Sequence, residues 1–548
     1  MTNWKDHLPP SRPVAMGVNG MVAAAHPLAS AAGVRILADG GNAFDAAVAT
    51  AATLNVVEPY MSGVGGIGIA LVYVAKEDKV RALNFSGRAP KAAEPERFTE
   101  ETQQTGILSS LVPGNVAGWL ALHEAYGSME RERLFAPAIG YAENGFPVTY
   151  WCSEVMHSSA ARLRQFDSSA SIILDSEGSA PQPGARLSMP QLAASLRTIA
   201  RDGEETFYRG ELAQQLINGV RSLGGLLTAE DLADYRAEWV EPISTEYRGY
   251  EVFTHPPNSS AFQVLQTLNL MEGFDRDELV YQDPQTLHLL MESVKLCVAD
   301  RIQYGGDPDY IKVPLKGLLS KAYAAEQRRR IDRERAALVS GEHYTRAVPE
   351  GSLTPGDSQA FDGGMTTHFA TADRDGNVVT VTQTLGGGFG SAVAVGDTGI
   401  FLNNMGAWFD LEEGSPNRIG PGRRVDFVVA PTQTFRDGQF VLSMGTPGSW
   451  GILQTTPQML LNVLEFGMNV QQAIDAPRFR YFAGTHVAME ERFPVEARRA
   501  LAKLGHEVEV LAPWTPGVGG AQGIAVDVEQ GVFQGGADPR RDGYAFGL

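Results

Sequence analysis

The turn at Asp375–Gly376 constrains the fold of this chain more than any other short segment. An Asp-Gly pair between two runs of alternating apolar and polar residues is a strong signal for a β-hairpin. A tight loop centred on Asp375 pairs Thr366 with Thr384 and places both side chains on one face of the sheet. If no bulge intervenes, three more polar side chains share that face: His368, Thr380 and Thr382.

The paired threonines have two interpretations. Threonine favours strands, so a threonine-rich strand pair is the simpler one. The other is chemical, because cleavage of the Met365–Thr366 bond would give Thr366 both a hydroxyl and a free α-amine. An α-amine with a pKa of about 7.7–8.0 can act as general base at neutral pH without any histidine. Thr384 would then orient or polarise the Thr366 hydroxyl.

The segment before Thr366 is compatible with such a cleavage. Residues 340–365 are rich in glycine, proline, serine and acidic residues and have no usable periodicity. A connection of that length without regular structure is typical of a lid, a linker or a processing segment. A cut at its end explains the linker and the threonine pair together.

A second glycine-rich segment offers the donors that acyl transfer needs. That chemistry requires backbone N–H groups held where negative charge develops on the carbonyl oxygen. The segment MGTPGSWG (444–451) follows a predicted strand and precedes a predicted helix. Gly448 and Ser449 can offer successive N–H groups there, so we predict an oxyanion hole at this turn.

Composition narrows the remaining classes of function. The formal charge is −19, from 45 basic and 64 acidic residues, which argues against a nucleic-acid or anionic-membrane surface. Cys152 and Cys297 are the two cysteines, so neither a disulfide framework nor a cysteine metal site is expected. The opening residues resemble no signal peptide, and no apolar run is long enough to span a membrane. We expect a soluble, cytoplasmic protein.

No cofactor is expected from the sequence motifs. Residues 63–68 match G-x-G-x-x-G, but a helical pattern precedes them and a strand pattern follows, the reverse of a dinucleotide site. The chain has no P-loop and no H-E-x-x-H, and its ten histidines show no ligand spacing, so no metal site is predicted. Helical and strand patterns are mixed along the chain, which indicates an α+β fold.

The residues quoted so far resemble the γ-glutamyltransferase (γ-glutamyltranspeptidase) family of N-terminal nucleophile hydrolases. The resemblance covers nearly the whole chain, and its specificity lies in the order of its motifs. They include HPLAS (26–30), EPYMSGVGG (58–66), VPGNVAG (112–118), TTH (366–368), DGN (375–377), GIFLNN (399–404), PTQTF (431–435), TPGS (446–449) and GAQGIAVD (520–527).

The resemblance implies a four-layer αββα sandwich and a proenzyme that cleaves itself. The cut would fall between Met365 and Thr366, leaving a large subunit of residues 1–365 and a small subunit of residues 366–548. The two subunits would together form one structural domain, with a flexible processing linker at about 340–365. Thr366 would be the nucleophile, Thr384 the threonine that contacts it, and Gly448 and Ser449 the oxyanion hole.

Positions that bind the glutamyl group in this family differ here. Ser86 stands where the glutamyl-specific enzymes have an arginine for the α-carboxylate, and Arg88 follows two residues later. Gly386 stands where those enzymes have asparagine. We expect Arg88 to meet a substrate carboxylate at another angle.

The remaining substrate positions are apolar. Met405 and Trp408 lie where the family has an acid for the substrate amine, and Phe427 and Val428 align with its paired serines. Burying the zwitterionic head of an α-amino acid without polar partners costs several kcal/mol, so this pocket favours an acyl group without that head.

The sequence therefore predicts a threonine amidohydrolase or acyltransferase that acts on a small-molecule amide with altered acyl specificity. Cephalosporin acylases and oxamate amidohydrolases are the relatives that fit such a pocket. One alternative is a conventional γ-glutamyl hydrolase or transpeptidase acting on glutathione-like substrates. Another, of a different class, is an unprocessed and inactive member of the family that serves as a binding protein. The oligomeric state is left open.

Overall fold

The computed structural model describes residues 11–337 and 365–548. Its helices lie mainly in the part of the chain before Met365: α1 Pro27–Ala38, α2 Ala43–Val57, α3 Glu100–Gln104, α4 Asn115–Tyr126, α5 Arg131–Asn144, α6 Tyr150–Leu163, α7 Asp167–Ile173, α8 Pro190–Asp202, α9 Glu204–Tyr208, α10 Glu211–Ser222, α11 Ala229–Asp234, α12 Phe262–Glu272, α13 Pro284–Tyr304, α14 Leu315–Leu318, α15 Lys321–Arg328, α16 Ile452–Leu464, α17 Val470–Asp475 and α18 Val495–Lys503.

The strands are spread over both parts of the chain: β1 Ala15–Gly17, β2 Gly20–Ala24, β3 Ile67–Val74, β4 Lys79–Phe85, β5 Phe146–Pro147, β6 Arg186–Leu187, β7 Glu238–Val240, β8 Ile243–Tyr247, β9 Tyr250–Thr254, β10 Met365–Asp373, β11 Val378–Gly386, β12 Thr432–Arg436, β13 Gln439–Gly445, β14 Phe479–Tyr481, β15 His486–Glu490, β16 Glu507–Leu511, β17 Gln522–Asp527, β18 Val532–Ala537 and β19 Tyr544–Gly547.

Helix α2 is the long buried helix behind the predicted hairpin. Asn42 caps its N-terminus and forms a capping box with Asp45, which satisfies two backbone N–H groups of the first turn. All of its residues are buried, and many are alanine, so neighbouring elements can approach its backbone closely. Gly40 and Gly41 lie in the break between α1 and α2.

Two seven-stranded sheets form the centre of the molecule. The first has the order β19-β2-β10-β11-β3-β4-β7 and the second the order β1-β18-β17-β13-β12-β9-β8. In the first sheet, β10 and β11 are inner strands with β2 and β3 on either side. Both sheets combine strands that precede Met365 with strands that follow it.

An apolar cluster lies between the two sheets. It joins Ala370 and Val378 of the first sheet to Phe435, Phe440 and Ile524 of the second. Two larger clusters lie where the helices cover the sheets. These observations confirm the α+β prediction, whereas the four-layer αββα sandwich stays a prediction.

One local expectation was wrong. The charged pattern of residues 321–339 favours a helix, but α15 ends at Arg328, because the chain then turns back and Ala336 N–H donates to Leu504 O at 2.7 Å. The middle of the chain is mostly helical and also contains the short strands β5 to β9. Residues 340–364 of the predicted linker lie outside the described residues. No helix in the described ranges is long and apolar enough to cross a membrane.

Candidate active site

The hairpin of β10 and β11 has the predicted register. Thr366 pairs with Thr384 and His368 with Thr382, and an irregularity in the pairing falls between Met365 and Thr366. Gln433 of the second sheet donates to the Thr380 hydroxyl at 3.1 Å, so this face of the hairpin is turned toward the second sheet. The hydroxyls of Thr366 and Thr384 are therefore brought together between the sheets.

The Thr384 hydroxyl connects both sides of the Met365–Thr366 bond. It accepts a hydrogen bond from Thr366 Oγ1 at 3.2 Å and donates one to the carbonyl oxygen of Met365 at 2.5 Å. The backbone N–H of Gly386 donates to the same Thr384 oxygen at 2.8 Å, which fixes its orientation. Thr366 is 5% exposed, so this array lies almost entirely out of solvent.

His368 is close to the threonines but is held as a neutral side chain. Its Nδ1 lies 2.8 Å from Thr382 Oγ1, and complete burial lowers its pKa to about 3. The second sheet approaches it so closely that a Cβ on Gly445 would lie 2.2 Å from the His368 ring. His368 therefore packs between the sheets and stays uncharged near neutral pH.

Gly448 and Ser449 follow β13 shortly after Gly445. Both have left-handed backbone conformations, with φ of 139° at Gly448 and 54° at Ser449. Such conformations are uncommon for a residue other than glycine and occur in turns whose backbone groups are aimed at a ligand. Helix α16 starts at Ile452, directly after this turn. The predicted oxyanion residues thus lie on a strained turn shortly beyond the point where β13 contacts His368 of the hairpin.

Gly386 ends the hairpin next to Thr384, and Met405 and Trp408 pack against it from a separate turn. A Cβ at Gly386 would lie 3.1 Å from the Trp408 ring and 3.2 Å from the Met405 sulfur. It would also lie 2.3 Å from Asn404 Oδ1, which accepts from the N–H of Gly387 at 2.7 Å. The asparagine of the glutamyl-specific enzymes therefore has no room here, and the motif residue Asn404 fills part of that space.

Phe427 and Val428 are buried in the same apolar cluster that contains Met405, and Trp408 packs against it. Both backbone groups of Phe427 are hydrogen-bonded: its N–H donates to Asn258 O, and its carbonyl accepts from Ser260 N–H. These positions are therefore apolar, and none of them supplies a charge for a substrate head.

Ser86 and Arg88 are part of different networks. The Ser86 hydroxyl donates to Asn84 Oδ1 at 2.7 Å and accepts from Asn258 Nδ2 at 3.1 Å. Arg88 points to Asp309 at 3.1 Å and to Glu238 at 3.5 Å. The structure therefore pairs Arg88 with acids of the protein, and its contact with a substrate carboxylate stays a prediction.

Sequence reasoning missed a small pocket beside the Ser449 turn. Trp450 forms one wall, and the Arg301 guanidinium lies 4.2 Å from the centre of its ring. Arg301 also lies 3.4 Å from Asp426, and burial raises the pKa of Asp426 to about 6 despite that opposing contact. Arg301 is distant in sequence from Asp426 and Trp450, and no motif marks the three residues.

A second buried cluster contains the described residues that could hold a metal ion: His288, Glu292 and His506. His288 Nδ1 lies 2.8 Å from His506 Nε2, and burial lowers the pKa of His506 to about 3. The ammonium group of Lys295 binds Glu292 Oε1 at 2.7 Å. The carboxylate is thus neutralised by a cation of the protein itself, and this donor set does not fit a metal ion well.

Comparison with known proteins shows which family this chain resembles along its length. The family model described as gamma-glutamyltranspeptidase matches residues 29–548. The chain is similar to the glutathione hydrolase-like YwrD proenzyme of Bacillus subtilis (strain 168), with 37% identity covering 97% of this chain and 99% of that protein. It is also similar to the acylase ACY 1 proenzyme of Pseudomonas sp. (strain SE83), with 36% identity covering 96% of this chain and 93% of that protein.

The fold is similar to that of a cephalosporin acylase from Bacillus halodurans. The crystal structure of that protein superposes with a TM-score of 0.90 and 35% sequence identity, covering 100% of this chain and 99% of that one. The likeness therefore extends over both sheets and their helices.

Proposed function

The chain belongs to the gamma-glutamyltranspeptidase family and is an N-terminal nucleophile amidohydrolase, and from this premise we propose that Thr366 is its nucleophile, released by cleavage of the Met365–Thr366 bond. The observation that carries the proposal is the Thr384 hydroxyl, which contacts both the Thr366 hydroxyl and the Met365 carbonyl oxygen. The proposed architecture is the four-layer αββα sandwich, shared by subunits of residues 1–365 and 366–548.

The contacts around Met365 support cleavage of its bond to Thr366. The Thr366 hydroxyl attacks the Met365 carbonyl carbon, while the hydrogen bond from Thr384 stabilises the negative charge on the carbonyl oxygen. The C–N bond breaks, the nitrogen takes up a proton, and an ester to Thr366 Oγ1 forms. Water then hydrolyses that ester, which leaves a carboxylate on Met365 and a free α-amine on Thr366.

The same hydroxyl then serves amide substrates. The Thr366 α-amine accepts the hydroxyl proton as Oγ1 attacks the substrate carbonyl, and returns it to the departing amine. The N–H groups of Gly448 and Ser449 stabilise the oxyanion. An acyl-enzyme remains on Thr366 and is released to water or to an amine. His368 has no role as a base in this scheme, because burial keeps its pKa far below neutrality.

The apolar residues at the substrate positions support a specificity other than γ-glutamyl. Met405 and Trp408 pack against Gly386 at the end of the hairpin, and Phe427 and Val428 belong to the same apolar cluster as Met405, so none of these four side chains offers a charge to an α-amino acid head. An acyl chain of the kind that a cephalosporin acylase removes fits such residues better. The similarity to acylase ACY 1 and to the Bacillus halodurans enzyme supports this substrate class.

A denaturing gel and two substrates test the proposal. The purified protein should run as chains of 365 and 183 residues in place of one chain of 59.0 kDa. It should hydrolyse a glutaryl-anilide faster than γ-glutamyl-p-nitroanilide. Turnover of the γ-glutamyl compound alone would instead support a conventional γ-glutamyl hydrolase. The Bacillus subtilis relative has the name of a glutathione hydrolase-like protein, which is consistent with that alternative. A chain that stays whole would support an inactive binding protein.

A further inference from the structure

Thr367 turns its side chain away from the reaction face of the hairpin and toward the end of α2. Its hydroxyl donates to Glu58 Oε2 at 2.9 Å, and both side chains are fully buried. Glu58 directly follows α2 as its C-terminal cap residue. Because successive residues of a strand point to opposite faces, Glu58 lies behind the strand, one residue from Thr366.

Helix α2 is hydrogen-bonded to β10 at both ends. At its N-terminus, Ala43 N–H donates to Asp373 Oδ2 at 2.9 Å, and the Thr371 hydroxyl donates to Ala43 O at 2.7 Å. At its C-terminus, the contact is the bond from Thr367 to Glu58. The helix thus supports the back of the strand along its length, and Glu58 supplies the support nearest to the nucleophile.

Cleavage makes this support necessary. Once the bond at Met365 is cut, Thr366 becomes a chain terminus, and chain termini fray unless they are tied down. We infer that Glu58 is a positioning residue, which holds the new terminus of β10 in register through Thr367 and provides a negative charge beside the α-amine of Thr366. The inference rests on the proposed function, because it requires Thr366 to be N-terminal.

The charges around Glu58 support this role. Burial raises its pKa to about 8, and the hydrogen bond from Thr367 opposes that rise. Within the described part of the chain, Glu58 Oε1 has no hydrogen-bond partner. The carboxyl group is thus protonated near neutral pH in the uncut chain, and an ammonium group created beside it favours the ionised form. Four other ionisable side chains interact with it: Tyr60, Cys152, Arg541 and Asp542.

Substitutions at Thr367 and Thr371 test the positioning role. In the processed enzyme, Thr367→Val should lower kcat about tenfold with KM changed less than about twofold, because a hydrogen bond to a charged group is lost. Thr367→Ser should restore kcat. The matched control is Thr371→Val, which removes a hydrogen bond on the same face of the same strand and should leave kcat within about twofold.

Glu58→Gln tests the charge and keeps the acceptor for Thr367. Without the negative charge, the ammonium form of Thr366 is less stable, so the acidic limb of the pH profile of kcat should move down by about one pH unit. This variant adds no volume, and it decides the question alone if Thr367→Val does not fold.

Two results would overturn the inference: equal losses of kcat in Thr367→Val and Thr371→Val, or a Glu58→Gln profile that coincides with that of the wild type. A wild-type chain that is never cut would instead overturn the proposed function. A gel run before the kinetic measurements separates the two failures.

Discussion

Two buried polar clusters in this molecule differ in charge: one is built from neutral groups and the other around an ion pair. The hydroxyl cluster consists of Met365, Thr366, Thr384 and Gly386, and its hydrogen bonds join hydroxyl and backbone groups without a formal charge. The helix cluster, on α13 and next to α18, consists of His288, Glu292, Lys295 and His506, and a buried ion pair forms its centre.

The two clusters also bind different parts of the main chain. The helix cluster binds the main chain just before the predicted linker: His288 Nε2 lies 2.7 Å from Asp332 O, Lys295 donates to Ala337 O at 3.1 Å, and Glu292 accepts from Ala337 N–H at 3.2 Å. The hydroxyl cluster instead surrounds one peptide bond. Removal of one partner of a buried ion pair is costly because it leaves an uncompensated charge, whereas the hydroxyl cluster contains no such charge.

The strongest test of this difference is Thr366→Ala. Removal of the nucleophile should abolish both the cut and amide turnover, while the melting temperature of the uncut chain changes little. Gel electrophoresis, an amidase assay and calorimetry measure the three quantities. A cut that persists in this variant would show that another protease cleaves the chain and that the hydroxyl cluster has no role in the cleavage.

Thr384→Val should have the next largest effect. It removes the donor to the Met365 carbonyl and the contact to the Thr366 hydroxyl, so the rate of self-cleavage and kcat should each fall about 100-fold. Thr384→Ser should recover most of both rates, since it keeps the hydroxyl. Equal rates for valine and serine variants would show that the side chain at this position serves packing alone.

Glu292→Gln should change stability and leave chemistry intact. It leaves the Lys295 ammonium buried without its counter-charge, which should lower the free energy of unfolding by about 3–5 kcal/mol. The kcat of the folded fraction should stay at the wild-type value. Glu496→Gln, on the exposed face of α18, is the control and should change stability by less than about 0.5 kcal/mol. A loss of kcat in Glu292→Gln would contradict the prediction that the helix cluster affects stability without affecting catalysis.

The smallest expected effect is a pH dependence of stability that belongs to the helix cluster. Burial lowers the pKa of His506 from 6.5 to about 3, so its contribution to stability is present above pH 6.5 and is lost as the pH falls toward 3. His506→Gln should therefore lose less stability than the wild type between pH 7 and pH 5. Chemical denaturation at the two pH values, in a Thr366→Ala background that stays uncut, gives the difference.

The sequence predicted the hydroxyl cluster because its information is local. The Asp375–Gly376 turn determines the register of a two-stranded hairpin, and the register alone brings Thr366 to Thr384. The helix cluster could not be predicted in this way. His288 and His506 are 218 positions apart, and only the packing of α13 against the turn after α18 brings them together.

Local signals also failed where tertiary contacts override them. The charged pattern after Lys321 favours a longer helix, but contacts of Ala336 and Ala337 with α13 and Leu504 draw the chain away after Arg328. Asn84 on β4 is hydrogen-bonded to Asn258, which follows β9, and no sequence motif marks either residue. The apolar residues of the substrate positions were found through family resemblance, which explains why the reaction is better defined than the substrate.

The interleaving of strands in both sheets gives the proposed cut a lasting consequence. Strands β10, β11 and β19 lie among β2, β3, β4 and β7 in one sheet, so neither subunit can complete that sheet alone. An uncut chain can refold as a single molecule, but two separated subunits must find each other, and their recovery depends on concentration. The processed enzyme would therefore fold only once, as a single chain before the cut. At low concentration its unfolding would be irreversible, because the separated subunits would rarely meet again.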